Sequence, residues 1–121
     1  MAMSAHAATI TVTNKNDSGP GSLRQALVDA NNGDTINFAV TGSIMLTSGG
    51  LTVDKNLAIA GPGANQLSID GTHQFGLATV ADNTVTISGL TIINGVFGIS
   101  NEGATLTVTN CVVRENSDAG L

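Results

Sequence analysis

The sequence predicts an all-β solenoid, a stack of short parallel strands wound into successive coils, with one short α-helix capping its N-terminal end. Residues 84–95 (TVTISGLTIING) and 105–116 (TLTVTNCVVREN) superpose at an offset of 21 residues, which puts Val85 on Leu106, Ile87 on Val108, Leu90 on Cys111 and Ile92 on Val113. A fixed period in this range, with one apolar pair per short strand, marks a unit that cannot bury its apolar side alone and stacks on copies of itself. Inside the unit the apolar period is 2, not 3.6, so the repeat is β and not helical. The unit reads as two strands split by a small or polar corner, Ser88-Gly89 and Thr109-Asn110.

The elements follow in chain order. Residues 1–8 are set aside as a tag or signal-peptide remnant. Met1-Ala2-Met3 looks like an added start, and Ala5-His6-Ala7 fits the small-residue pattern of a signal-peptidase site without a basic start or apolar stretch before it. Residues 9–38 form the predicted N-terminal cap. Thr9–Thr13 is a short alternating strand with Ile10 and Val12 on one face, and a polar loop runs from Asn14 to Gly21. Ser22 and Gln25 have the spacing of a capping box. Leu23, Ala26, Leu27 and Ala30 then fall on one helical face, and Asn31-Asn32-Gly33 stops a helix over 23–31. A stack of coils exposes its first apolar layer, and a helix that is apolar on one side and carries Arg24, Gln25 and Asp29 on the other is shaped to plug that end. The cap closes with the first coil strand, around Ile36 and Phe38.

Residues 39–121 are the predicted coils. Ile44/Leu46 and Leu51/Val53 come at irregular spacing, then Leu57/Ile59 and Leu67/Ile69 flank an enlarged corner, Gly61-Pro62-Gly63-Ala64-Asn65-Gln66. Each pair points inward, its Thr, Ser, Ala or Asp neighbours point outward, and the Gly, Asn and Pro clusters turn the chain. Each strand pairs in parallel with its equivalent one coil later, and the rest of the coil serves as the crossover that parallel strands need. A chain of 121 residues holds about four or five such coils.

Composition narrows the function classes. Three Phe with no Tyr or Trp leaves a core of Ile, Leu and Val. Four Lys and Arg against nine Asp and Glu give a net charge of −5, and Lys15, Arg24, Lys55 and Arg114 are scattered, which argues against nucleic acid and against anionic membranes. No apolar run approaches the length of about 20 residues that spans a bilayer. The single cysteine, Cys111, takes the place of Leu90 one coil on and reads as a small buried hydrophobe, slow to react with thiol reagents.

The stretch TVTNKNDSGPGSLRQALVDANNGDTINF (11–38) resembles the N-terminal opening of a large group of exported bacterial right-handed parallel β-helix repeat proteins. The resemblance rests on Asn14, Asn16, Asp17, Ser18, Gly19, Gly21, Ser22, Leu23, Arg24, Ala26, Ala30, Asn31, Gly33, Asp34, Thr35, Ile36 and Phe38. The repeat half is similar to the coils of the same proteins, so the likeness covers nearly everything after Ala8. It implies a right-handed parallel β-helix from a long, surface-exposed or secreted protein, with no assigned chemistry. The chain stops at 117–121, about where another coil should begin and with no C-terminal cap visible, which reads as an open or truncated end. An open end of this kind leads to the expectation of a homodimer through the C-terminal coil face.

No residue stands out as catalytic, cofactor-binding or metal-binding. The outward carboxylates are Asp54, Asp70, Asp82, Glu102, Glu115 and Asp118. Stacking of Leu67/Ile69 on Leu90/Ile92 and Cys111/Val113 puts Asp70 over Ile93 and then Arg114, one acid and one base two coils apart, without the second acid of a paired-carboxylate site. His73 follows the Asp70-Gly71-Thr72 turn as an exposed loop residue. The stretch 60–68 loosely follows a calcium-binding nonapeptide but occurs once, with Asn65 in place of the acidic ligand, and reads as a corner. Thr84/Thr86/Ser88 under Thr105/Thr107/Thr109 makes an outward hydroxyl array of two rows, few for binding ice or another crystalline surface. The expected function is therefore a structural scaffold, adhesin- or stalk-like, exported to the bacterial surface or secreted, with no catalysis. Surface glycans are its candidate ligands. The alternative is the N-terminal part of a carbohydrate-active β-helix enzyme of the lyase or hydrolase kind.

Overall fold

The alternation of inward Ile, Leu and Val with outward small and polar residues places every strand on one of three faces of a coil. In the computed structural model, which describes residues 7–80, 82–96 and 98–114, the chain is a parallel β-solenoid of about five turns with one short helix, a right-handed parallel β-helix. The first face stacks β1 (Thr9–Val12), β2 (Asp34–Phe38), β5 (Leu57–Ala60), β8 (Thr84–Ser88) and β11 (Thr105–Thr109). The second stacks β3 (Gly42–Met45), β6 (Leu67–Asp70), β9 (Thr91–Ile93) and β12 (Val112–Arg114). The third stacks β4 (Leu51–Val53), β7 (Leu77–Val80) and β10 (Ile99–Glu102), and every pairing is parallel.

The core is a set of aliphatic columns along the stack. Ile10, Ile36, Ile59, Ile87 and Val108 form one, in register through all five strands of the first face. Ile44, Ile69, Ile92 and Val113 form the second. Leu51, Leu77 and Ile99 form the third. Ile36, Ile59 and Ile87 are buried, while Ile10 and Val108 at the two ends are half-buried. Each layer therefore leans on the layers above and below it, the expected behaviour of a solenoid.

The coil differs from the sequence reading in one respect: it has three strands, not two. The Ile36/Phe38, Ile44/Leu46 and Leu51/Val53 pairs are the three faces of a single coil. Later coils disguise the third face because its second inward position turns polar. Register carries Val53 onto Thr79 and then Asn101, where the Thr79 hydroxyl donates to Asn101 Oδ1 at 2.9 Å. With one inward apolar residue left per strand, Leu77 or Ile99, the alternation is too weak to be seen. Coil length also varies, at 23 residues from Asp34 to Leu57, 28 from Leu57 to Val85 and 21 from Val85 to Leu106.

The corner after the first face needs a left-handed residue. Gly89 has φ +67°, and Asn110, one coil later, has φ +52°. Asn tolerates this region through its short polar side chain. At Gly89 a Cβ would also run into the Gly61 carbonyl of the coil before.

Helix α1 (Leu23–Asp29) covers the N-terminal end, with Leu23, Ala26, Leu27 and Ala30 buried, and it packs on β1 and β4. Its start follows half of the capping box: the Ser22 hydroxyl accepts from the Gln25 amide at 3.1 Å. The other half is absent, because the Ser22 amide donates to the Gly19 carbonyl and the Gln25 side chain donates to Asp29. The helix ends before the expected residue 31. Ala30 is extended at φ −66°, ψ 148°, and the Asn31 amide is drawn off to Asp34 Oδ2. Among the described residues no helix is long and apolar enough to cross a membrane.

Candidate functional site

The three outward faces and the capped end are the surfaces on which chemistry could sit. On the first face the outward column runs Thr9, Thr35, Ala58, Thr86, Thr107, one residue per coil. Beside it lie Thr11 with Asn37, and Ala60 with Ser88 and Thr109. The Thr84/Thr86/Ser88 and Thr105/Thr107/Thr109 rows stack as the sequence predicts. Strands β1, β2 and β5 extend the face to five rungs, although the β5 rung between the cap and β8 carries Ala58 and Ala60 and interrupts the hydroxyls. None of these outward positions is charged.

On the second face, Asp70 lies beside Ile93 and then Arg114, as expected. Asp70 is engaged within the fold, its carboxylate accepting from the Thr72 amide at 2.8 Å and from Asn94 Nδ2 at 3.2 Å. His73 is exposed with φ +64°. The 61–66 corner is a turn in which Gly61 and Gly63 donate to the Ser88 and Gly89 carbonyls, and the buried Thr91 hydroxyl donates to the Ala64 carbonyl. Among the described residues no group of three or more His, Cys, Asp or Glu is placed to hold a metal ion. Cys111 is half-buried against the core with Sγ 3.7 Å from the Ile87 carbonyl. Glu115 and Asp118 lie outside the described residues, as does the predicted open end at 117–121.

Two carboxylates that the sequence reading left unassigned organise the cap. Asp17 accepts from the Thr47 amide at 2.7 Å, from Arg24 Nη2 at 3.0 Å and from both the amide and the hydroxyl of Ser48. Partial burial works against its charge. The Ser48 hydroxyl, the Thr47 amide and Arg24 outweigh that and hold the carboxyl well below its ordinary value of 3.8. Asp34 is buried and accepts from the Asn31 and Ala8 amides, which lower its pKa against the opposing effect of burial, with Lys55 adding a smaller favourable charge. Both carboxylates tie segments more than twenty residues apart, and no local pattern announces such a role.

Arg24, which the sequence places on the polar side of the cap helix with Gln25 and Asp29, bonds back onto the stack. Its guanidinium reaches across the end of the stack to the Gly49 and Gly50 carbonyls at 2.6 and 2.8 Å, besides pairing with Asp17. The most exposed apolar residue of the helix is Val28, at 66 %. Lys55 caps the other end of α1, donating to the Leu27 and Val28 carbonyls at 3.0 and 2.8 Å. Between α1 and β4 these residues enclose an open groove of about 380 Å³, lined by Arg24, Leu27, Val28, Gly50, Leu51, Thr52, Asp54 and Lys55.

Comparison with protein-family models, curated proteins and solved structures returned no match for the chain.

Proposed function

We propose that this chain is a structural scaffold: a stiff β-helix segment of an exported bacterial surface or secreted protein, adhesin- or stalk-like, which works by holding a shape and carries no catalysis. The observation that carries this reading is where the polar side chains are spent. Asp17, Asp34, Asn56, Thr72 and Thr91 each bond the backbone of another coil or of the cap. Asn56 is typical: its amide donates to Asn32 Oδ1 in the preceding coil, and its own Oδ1 accepts from the Thr84 amide in the next. Groups committed to inter-coil bonds stiffen the stack and are not available to turn over a substrate. The resemblance of 11–38 to exported β-helix proteins supports the surface location.

Incubation with a panel of bacterial and plant polysaccharides tests the reading. No new reducing or unsaturated ends should form, whereas released oligosaccharides would move the chain to the carbohydrate-active alternative. A glycan array tests surface glycans as partners.

A second reading draws on the uncharged, hydroxyl-rich first face. Four hydroxyl-bearing rungs, two on either side of the Ala58 and Ala60 rung, suit contact with an ordered surface such as ice, and inhibition of ice recrystallisation would support that role for the face. Self-association is proposed through Leu106, Val108 and Val113, which are half-buried on the last described rung. Light scattering should give the mass of a homodimer, and a monomer mass at high concentration would refute it.

A further inference from the structure

The first face ends in two backbone edges that match each other. β1 and β11 are its outermost strands. Their residues 9–13 (TITVT) and 105–109 (TLTVT) differ at one position, Ile10 against Leu106. The Ala8 and Val12 carbonyls accept from the Thr35 and Ala39 amides, so the even positions of β1 bond toward β2. Alternate residues of a strand hydrogen-bond on opposite sides, which points the N–H and C=O of Thr9 and Thr11 away from the stack. At the other end Thr105 donates to the Asn83 carbonyl and Thr109 accepts from the Gly89 amide. There Leu106 and Val108 are the residues whose backbone groups point away. None of these four residues has a strand partner on that side among the described residues. The free groups belong to outward-facing residues at one end and to inward-facing residues at the other, the same alternation that pairs β1 with β2 and β8 with β11.

We propose that α1 is a brake on assembly: it holds off a second copy of this chain that would otherwise pair head to tail, β11 of one copy with β1 of the next. In the register that continues the first column, Val108 lies on Ile10 of the next copy and Thr107 on Thr9. The Val108 amide then donates to the Thr9 carbonyl, the Thr11 amide donates to the Val108 carbonyl, and the Thr9 amide donates to the Leu106 carbonyl. Ile10 and Val108, both half-buried as the two ends of one column, cover each other. No charged side chain stands outward on this face, so copies of net charge −5 meet where their repulsion is weakest. A contact of this heterologous kind does not close on itself and grows into a filament. What prevents it is size. Paired strands lie about 4.8 Å apart, whereas a helix with its side chains is about 10 Å across. α1 packs over the same end, on β1 and β4, and meets the incoming coil before the strands come within pairing distance. Arg24 on the Gly49 and Gly50 carbonyls, and Lys55 on the Leu27 and Val28 carbonyls, tie the helix there. This inference goes beyond the homodimer proposed above, in which two C-terminal faces meet, and shares with it only the β11 edge.

The experiment compares the whole chain with the double variant Leu23→Ser/Leu27→Ser, which removes the apolar anchor of α1. Fast hydrogen exchange at the Ala26 and Ala30 amides, which bond to the Ser22 and Ala26 carbonyls in the parent, reports that the helix is off. Sedimentation velocity should then show a mass that rises with concentration to several times that of the parent, with the strand signal in circular dichroism retained. Thr11→Pro removes an N–H that faces only the next copy, and an edge strand tolerates proline at such a position. Added to the double variant it should abolish the growth and leave any dimer through two C-terminal faces intact. Val108→Pro, on the edge that both contacts share, should abolish the growth and the dimer alike, so the two readings fail separately. Where the double variant loses its strand signal, Arg24→Ala/Lys55→Ala loosens the same helix and takes its place. A folded variant with its helix off that does not grow, or growth that survives Thr11→Pro, would overturn the proposal.

Discussion

At the scale of single residues, this fold is held by acceptors placed where backbone donors of another coil end. Asp17 serves two amides, one hydroxyl and one guanidinium, and all of them favour its charged form. A carboxyl held below its ordinary value in the folded state stabilises the fold at neutral pH. That contribution disappears as pH falls through the ordinary carboxylate range toward the depressed value. Urea unfolding should therefore show Asp17→Asn less stable than the parent at neutral pH, with the difference shrinking steadily as pH falls below about 4. A difference that is as large at about pH 2 as at neutral pH would show that the charge of Asp17 contributes nothing. The residues 14–21 read in sequence only as a polar loop, because the partners of Asp17 at Thr47 and Ser48 are thirty and thirty-one positions away.

At the scale of elements, the cap helix is the part most dependent on tertiary support. Seven residues are too few for a helix that is stable alone in water. Its stability comes from Leu23 and Leu27, exposed by 1 % and 6 %, packed on the first layer of the stack. Leu27→Ala should cost about 2–5 kcal/mol, as a large-to-small change in a core. Ser22→Ala should cost about 1 kcal/mol, since it leaves the Gln25 amide without its acceptor. Chemical denaturation measures both, and a Leu27→Ala cost below that of Ser22→Ala would mean that the helix is not anchored by its apolar face. Of these features, the apolar face and the N-cap were legible in the sequence. The early end of the helix was not, because it depends on Asp34 capturing the Asn31 amide.

At the scale of the whole molecule, stability is a sum over contacts between neighbouring coils. Ile59 sits between Ile36 and Ile87 and is 1 % exposed, whereas Val108 has an aliphatic neighbour on one side among the described strands and is half-buried. Ile59→Ala should cost about 2–5 kcal/mol, and Val108→Ala clearly less, by thermal or urea unfolding. Equal costs would indicate that Val108 is covered as fully as Ile59 in solution. The same stacking multiplies the outward faces: a column of Thr and Ala five residues long exists only because five strands share one register.

The amino-acid sequence by itself determined the class of fold, the inward and outward sides of the strands it revealed, the corner at Gly89 and Asn110, and the start of the cap helix. All of these rest on local patterns, a period of 2, a period of 3.6 or a residue suited to a left-handed turn, which a chain displays before it folds. Only the tertiary structure decided the third face of the later coils, the roles of Asp17 and Asp34, the reach of Arg24 across the end of the stack and the groove beside β4. Each depends on which residues meet after a full coil. Because coils of 23, 28 and 21 residues bring different spacings into contact, no fixed period in the chain announces them. Thr79 and Asn101 show the limit plainly, since polar residues in the register of Val53 erase the alternation that marks a strand, and only the pairing of β7 with β10 reveals that the buried Thr79 hydroxyl finds its acceptor on the exposed Asn101.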